Sequence, residues 1–258
     1  MEHLSSETIA LPPAARSALP SVPVEEGQAL LSVPTARAVR LLVGVTAGLG
    51  LAGFAGQLAV LFLPDFLGRD LFAGLTDLLG EANLPAAFSA LLLLAAALLL
   101  GLVAAHRRRT GDRFALGWTA LALIFAFLAV DEFAMVHDRI APLIQRTMNT
   151  QGALAYGWVV PYAVLTLGVG AAFVRFLLAQ PRWLGRALVT AGAVYVSAAL
   201  GFELVEGLVS RGDETNRLLM AGLIALEEVM EMLGVILLIA ALLRELRART
   251  PEIRVRLR

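Results

Sequence analysis

From about residue 39 onward the chain alternates long apolar runs with short polar breaks, six times over. The runs extend approximately over 39–63, 84–105, 114–136, 155–179, 186–209 and 218–243. Each is close to the ~20 residues that a ~30 Å hydrocarbon core demands of a helix. The pattern predicts an all-α, polytopic membrane helix bundle with six transmembrane helices. Pro85 suits the first turn of the second helix, whereas Pro161 lies inside the fourth and is expected to kink it.

Residues 1–36 hold Pro12, Pro13, Pro20, Pro23 and Pro34 among Ser, Ala and Glu, with no sustained period, and read as a disordered cytoplasmic tail. A cleavable signal peptide needs an apolar run directly after a short charged start, so this tail is expected to be retained. Residues 37–246 form the transmembrane domain and 247–258 a basic cytoplasmic tail.

Arginine sets the orientation, because short cytoplasmic loops retain basic residues and exported ones do not. Arg16, Arg37 and Arg40 belong to the N-terminal segment; Arg107, Arg108, Arg109 and Arg113 come after the second run. Arg175, Arg182 and Arg186 lie at the fourth-to-fifth junction, and Arg244, Arg247, Arg249, Arg254, Arg256 and Arg258 at the C-terminus. Only Arg69, Arg139, Arg146, Arg211 and Arg217 fall on the other side. Both termini are therefore expected in the cytoplasm, with the chain in the inner membrane.

Two of the outer loops carry apolar residues at helical spacing: Leu71, Phe72, Leu75, Leu78 and Leu79, then Ile140, Leu143, Ile144 and Met148. Each is read either as a short surface helix or as an ordinary loop. In the first run Gly44, Gly48, Ala52 and Gly56 recur every fourth residue, a smooth face for close helix packing or for a homodimer seam.

Composition agrees with a lipid environment: 59% of residues are apolar and the mean hydropathy is +0.78. Cysteine is absent, which excludes disulfides, thiolate metal sites and cysteine nucleophiles. All 21 basic residues are arginine, a bias expected of a GC-rich bacterial genome. Their dispersal gives no basic stripe for nucleic acid.

The ionisable residues inside the runs are few: Asp131 and Glu132 in the third, Glu203 and Glu206 in the fifth, and Glu227, Glu228 and Glu231 in the sixth, with His137 and Asp138 just beyond the third. Helices three and five run outward, so their acids come in the last two turns. Helix six runs inward, placing its acids ~12–18 Å below its outer start. Seven carboxylates on three helices thus share the outer half of the membrane.

Glu203 and Glu206 share a helix face, as do Glu227, Glu228 and Glu231. Glu132 and His137 are ~140° apart on a continuous helix, so either the helix breaks near Val136 or one of them serves elsewhere. Ionised acids at this depth are costly and need protons, arginine partners or a metal. Asp131, Glu132, His137, Glu203, Glu206, Glu227, Glu228 and Glu231 are accordingly candidate ligands of a divalent metal ion in an enzyme or sensor. The same acids would serve a proton or cation transporter, and pairing with Arg139, Arg146, Arg211 or Arg217 in a non-catalytic scaffold is the third reading. Tyr162 is a candidate hydroxyl donor to the site.

Asp131-Glu132 followed by His137-Asp138, with Glu227-Glu228 and Glu231 before Gly234, resembles a pattern in uncharacterised bacterial multi-pass membrane proteins. That resemblance implies no activity. The histidine set of the ceramidase-like membrane hydrolases is missing.

Overall fold

The computed structural model describes residues 35–80, 82–148, 152–154, 156–209 and 214–249. These form helices α1 (Thr35–Phe62), α2 (Arg69–Thr76), α3 (Leu84–Arg109), α4 (Ala115–Ala134), α5 (Val136–Met148), α6 (Val159–Leu178), α7 (Arg182–Val209) and α8 (Glu214–Arg249), with no strand among the described residues. The expected terminal tails lie outside them, except that α1 and α8 run a few residues into each.

Five helices, α1, α3, α4, α6 and α7, are long and apolar enough to cross a membrane. The sixth expected span is the 36-residue α8, the longest helix described. Its length suffices, but Glu227, Glu228 and Glu231 interrupt its apolar stretch. It is nonetheless the centre of the bundle, packed by α1, α3 and α7. Met232, Ile236 and Leu242 of α8 are fully buried with Leu93 and Leu100 of α3 and Leu184 of α7. A helix enclosed by protein can carry polar groups that a lipid-facing one cannot. α4 lies along α3, while α6 is peripheral and touches α7 only lightly.

Both amphipathic loop segments are helices, α2 and α5. The first loop is held by Asn83, whose Oδ1 accepts the Ala86 N–H at 3.1 Å to cap α3 while its amide donates to the carbonyls of Asp77 and Gly80. Gln57 of α1 donates to Asp77 at 2.8 Å.

Two expectations need correction. Within the chain, α1 does not pack closely along the whole Gly44, Gly48, Ala52, Gly56 stripe: Gly44 and Gly48 are exposed, and a Cβ on either would meet nothing within 4 Å. The packed glycines are Gly50, against Val229, Gly53, against Thr76 and Leu78, and Gly56, against Ala73 and Thr76. The stripe is displaced because α8 and the first loop approach from the side of Thr46 and Gly53. Pro161, in turn, lies in the first turn of α6, where its missing N–H costs no helical bond and imposes no kink. The proline inside a helix is Pro142, in α5.

Arg107 also departs from its expected place as a loop cation. It is buried, donates to Glu245 of α8 at 2.8 Å and to Asp112, and lies over the Trp118 ring. This ion pair ties α3 to α8 across 138 residues of chain.

Candidate functional site

At the bundle end opposite Arg107, α4 stops at Ala134, and Met135 takes the left-handed conformation (φ 54°, ψ 43°) before α5 begins. This is the break near Val136, one of the two alternatives that the spacing of Glu132 and His137 left open. It turns His137 back toward α4: its backbone N–H donates to Asp131 Oδ1 at 2.9 Å, and its Nδ1 lies 3.4 Å from the same oxygen. Asp131 therefore caps the helix that carries its own histidine partner. The Tyr162 hydroxyl of α6 donates to Asp131 Oδ2 at 3.1 Å, as expected.

Over Ser197–Phe202 helix α7 widens into a π-helical stretch immediately before Glu203. Such a stretch holds an extra residue in its turn and rotates the helix beyond it, here the part bearing Glu203 and Glu206. α8 approaches α7 just below, at Gly234, where a Cβ would stand 2.8 Å from the Tyr195 nitrogen. The absence of a side chain at Gly234 brings Tyr195 beside Glu231, one turn away.

All eight candidate residues, Asp131, Glu132, His137, Glu203, Glu206, Glu227, Glu228 and Glu231, line one cavity of about 730 Å³, together with Tyr162, Tyr195 and Trp158. Asp131, Glu206 and Glu227 are buried, and the remaining five are partly so. The side chain of Asp138 lies outside the described ones. Ser89 of α3 stands beside Glu132, and Glu206 beside Glu227 across the α7–α8 interface.

No arginine lines the cavity among the described residues, and Arg139, Arg146 and Arg217 are exposed; Arg211 lies outside the described residues. Nor are three His, Asp or Glu side chains gathered as a metal ion's ligand set among them. Among the side chains that line the cavity, Glu206, 2% exposed, and Trp158, 6% exposed, each carry a buried polar atom without a hydrogen-bond partner, Oε1 and Nε1 respectively.

Three contributors were not legible as site residues. Ser89 looks like a small residue in an apolar helix, although a hydroxyl there is itself a signal. Trp158 and Tyr195 resemble interfacial or core aromatics until the fold places them. Trp158 packs on His137 and edge-on to Tyr162, with ring centroids 4.9 and 5.1 Å apart, so the aromatic wall of the cavity is continuous.

No curated protein and no solved structure matches the chain. Residues 36–246, most of the helical bundle just described, match a family described as a domain of unknown function, DUF8692, and the chain belongs to that family.

Proposed function

We propose that this protein is a six-span inner-membrane protein, with both termini cytoplasmic, that binds a cation in the cavity between α4, α7 and α8. The observation that carries this reading is seven carboxylates from three helices around one cavity, with no arginine among its described lining residues. In this reading protons and a bound cation supply charge balance, because clustered acids cannot all ionise unpaired.

The size of the cavity and the placement of its oxygens favour an organic cation over a bare metal ion. A volume of about 730 Å³ is that of a small-molecule site. A protonated amine is recognised by dispersed hydrogen-bond acceptors, and Glu206 Oε1 is an acceptor in want of a donor. Trp158, Tyr162 and Tyr195 add ring surface on which a cation is favourable.

Calorimetry on protein in lipid nanodiscs tests this, using ethylammonium, tetramethylammonium, Mn²⁺, Zn²⁺ and Ca²⁺ as probes, with elemental analysis of the purified protein. Saturable binding of an ammonium probe that Glu227→Gln abolishes is expected. Stoichiometric metal lost with Glu231→Gln would replace the organic cation by a metal. Binding of none of the probes would overturn the cation site altogether.

A further inference from the structure

The cavity reaches the flank of the bundle. α4 and α6 meet at their two ends: at one, Phe176 fills the space over Gly117 and stacks edge-on against Trp118, with ring centroids 5.1 Å apart. At the other, Tyr162 is bonded to Asp131. Between these ends the two helices have no extensive contact. Leu123 and Phe127 of α4 and Leu165 of α6 line the cavity there, yet they are 66%, 45% and 58% exposed. A side chain that both lines a cavity and faces outward stands on the rim of an opening.

That opening is sideways, within the apolar belt of two helices that are long enough to cross a membrane. A hydrated ion has no reason to enter there, since charge in hydrocarbon is costly. A molecule already dissolved in the bilayer does. Beyond the apolar rim lie Glu206 and Glu227, the former with its orphaned oxygen, and the unpartnered Trp158 N–H.

We infer that the ligand is a membrane-soluble amphiphile with a cationic amine head, entering laterally between α4 and α6, its head among the carboxylates and its chain against Leu123, Phe127 and Leu165. The inference rests on the cation-binding reading above and adds the chain and the route. An oxygen next to the amine would satisfy Trp158 Nε1.

The absence of cysteine from the chain allows a reversible plug at the rim. Leu165→Cys is labelled in detergent with a bulky disulfide-forming reagent, reconstituted in nanodiscs, and compared with the same protein after reduction. Radiolabelled dodecylamine is the probe, with ethylamine as the head alone and dodecanoic acid as the chain without the cation. In a Trp118→Phe, Trp183→Phe protein, chain-brominated dodecylamine additionally quenches Trp158, and the radioligand assay on the unsubstituted tryptophans stands if that variant does not fold. Saturable dodecylamine binding at least tenfold tighter than ethylamine, not displaced by dodecanoic acid and weakened tenfold or more by the plug, is expected. Equal affinity for ethylamine and dodecylamine, or indifference to the plug, would overturn the lateral amphiphile and leave the cation site standing. Failure of both amines to bind would remove both.

Discussion

Gly234 of α8 faces the backbone of Tyr195 so closely that a methyl group would sit 2.8 Å from its nitrogen and 2.9 Å from its Cβ. The approach is backbone to backbone and has no flexible side chain to yield. Gly234→Ala should therefore cost ~1–3 kcal/mol, the usual penalty of overpacking, and displace Tyr195 from Glu231. Gly44→Ala and Gly48→Ala, which meet nothing, should be neutral or stabilise α1 by up to ~1 kcal/mol. Thermal unfolding in one detergent compares all three variants.

The crowded acids make an opposite prediction for stability. In cation-free buffer, Glu206→Gln or Glu227→Gln should raise the melting temperature, corresponding to ~0.5–2 kcal/mol, because an amide relieves like-charge crowding at a site kept for binding. If hidden structural partners held these carboxylates, the same changes would lower it.

Asp131 has two duties, as cap of α5 and acceptor of Tyr162. Asp131→Ala should lose both, at ~1–3 kcal/mol, whereas Asp131→Asn keeps an acceptor for the His137 N–H and costs less. Tyr162→Phe should cost ~1–2 kcal/mol and leave the cap intact. Equal losses for Ala and Asn would contradict the capping role.

How much of the structure could be read from the chain varied with the range of the interaction. Five of the spans and the placing of the acids within the helices come from local periodicity, and helix geometry offers the break near Val136 as one of two alternatives, with Tyr162 as a candidate donor. The packed face of α1 does not, because small residues at fourfold spacing say where a helix is smooth and not which neighbour arrives. Arg107 reads as a loop cation because its partner Glu245 lies 138 residues away in the chain. Pro161 reads as a mid-span kink because Tyr156 and Trp158 look like span residues, whereas α6 starts only at Val159.

The Arg107–Glu245 pair offers its own check. Arg107→Ala removes the arginine partner of a carboxylate that is 2% exposed and should cost ~3–5 kcal/mol, while Arg107→Met with Glu245→Leu should recover most of that loss. Unfolding of the single and double variants gives the coupling.

Orientation is measured with reporters active only outside the cytoplasm. A fusion after Arg258 should stay silent, and one inserted in the loop 210–213 should be active. The reverse would place the acidic cavity on the inner side.

The central claim is that the acids of α4, α7 and α8 together hold a cation, and the most direct measurement is an anomalous-scattering map of crystals soaked in 4-bromobenzylamine. The account predicts a bromine peak inside the cavity lined by Glu206, Glu227 and Glu231, absent from the Glu227→Gln protein. A cavity without a peak at a concentration that saturates amine binding in solution, or an equal peak in the variant, would contradict it.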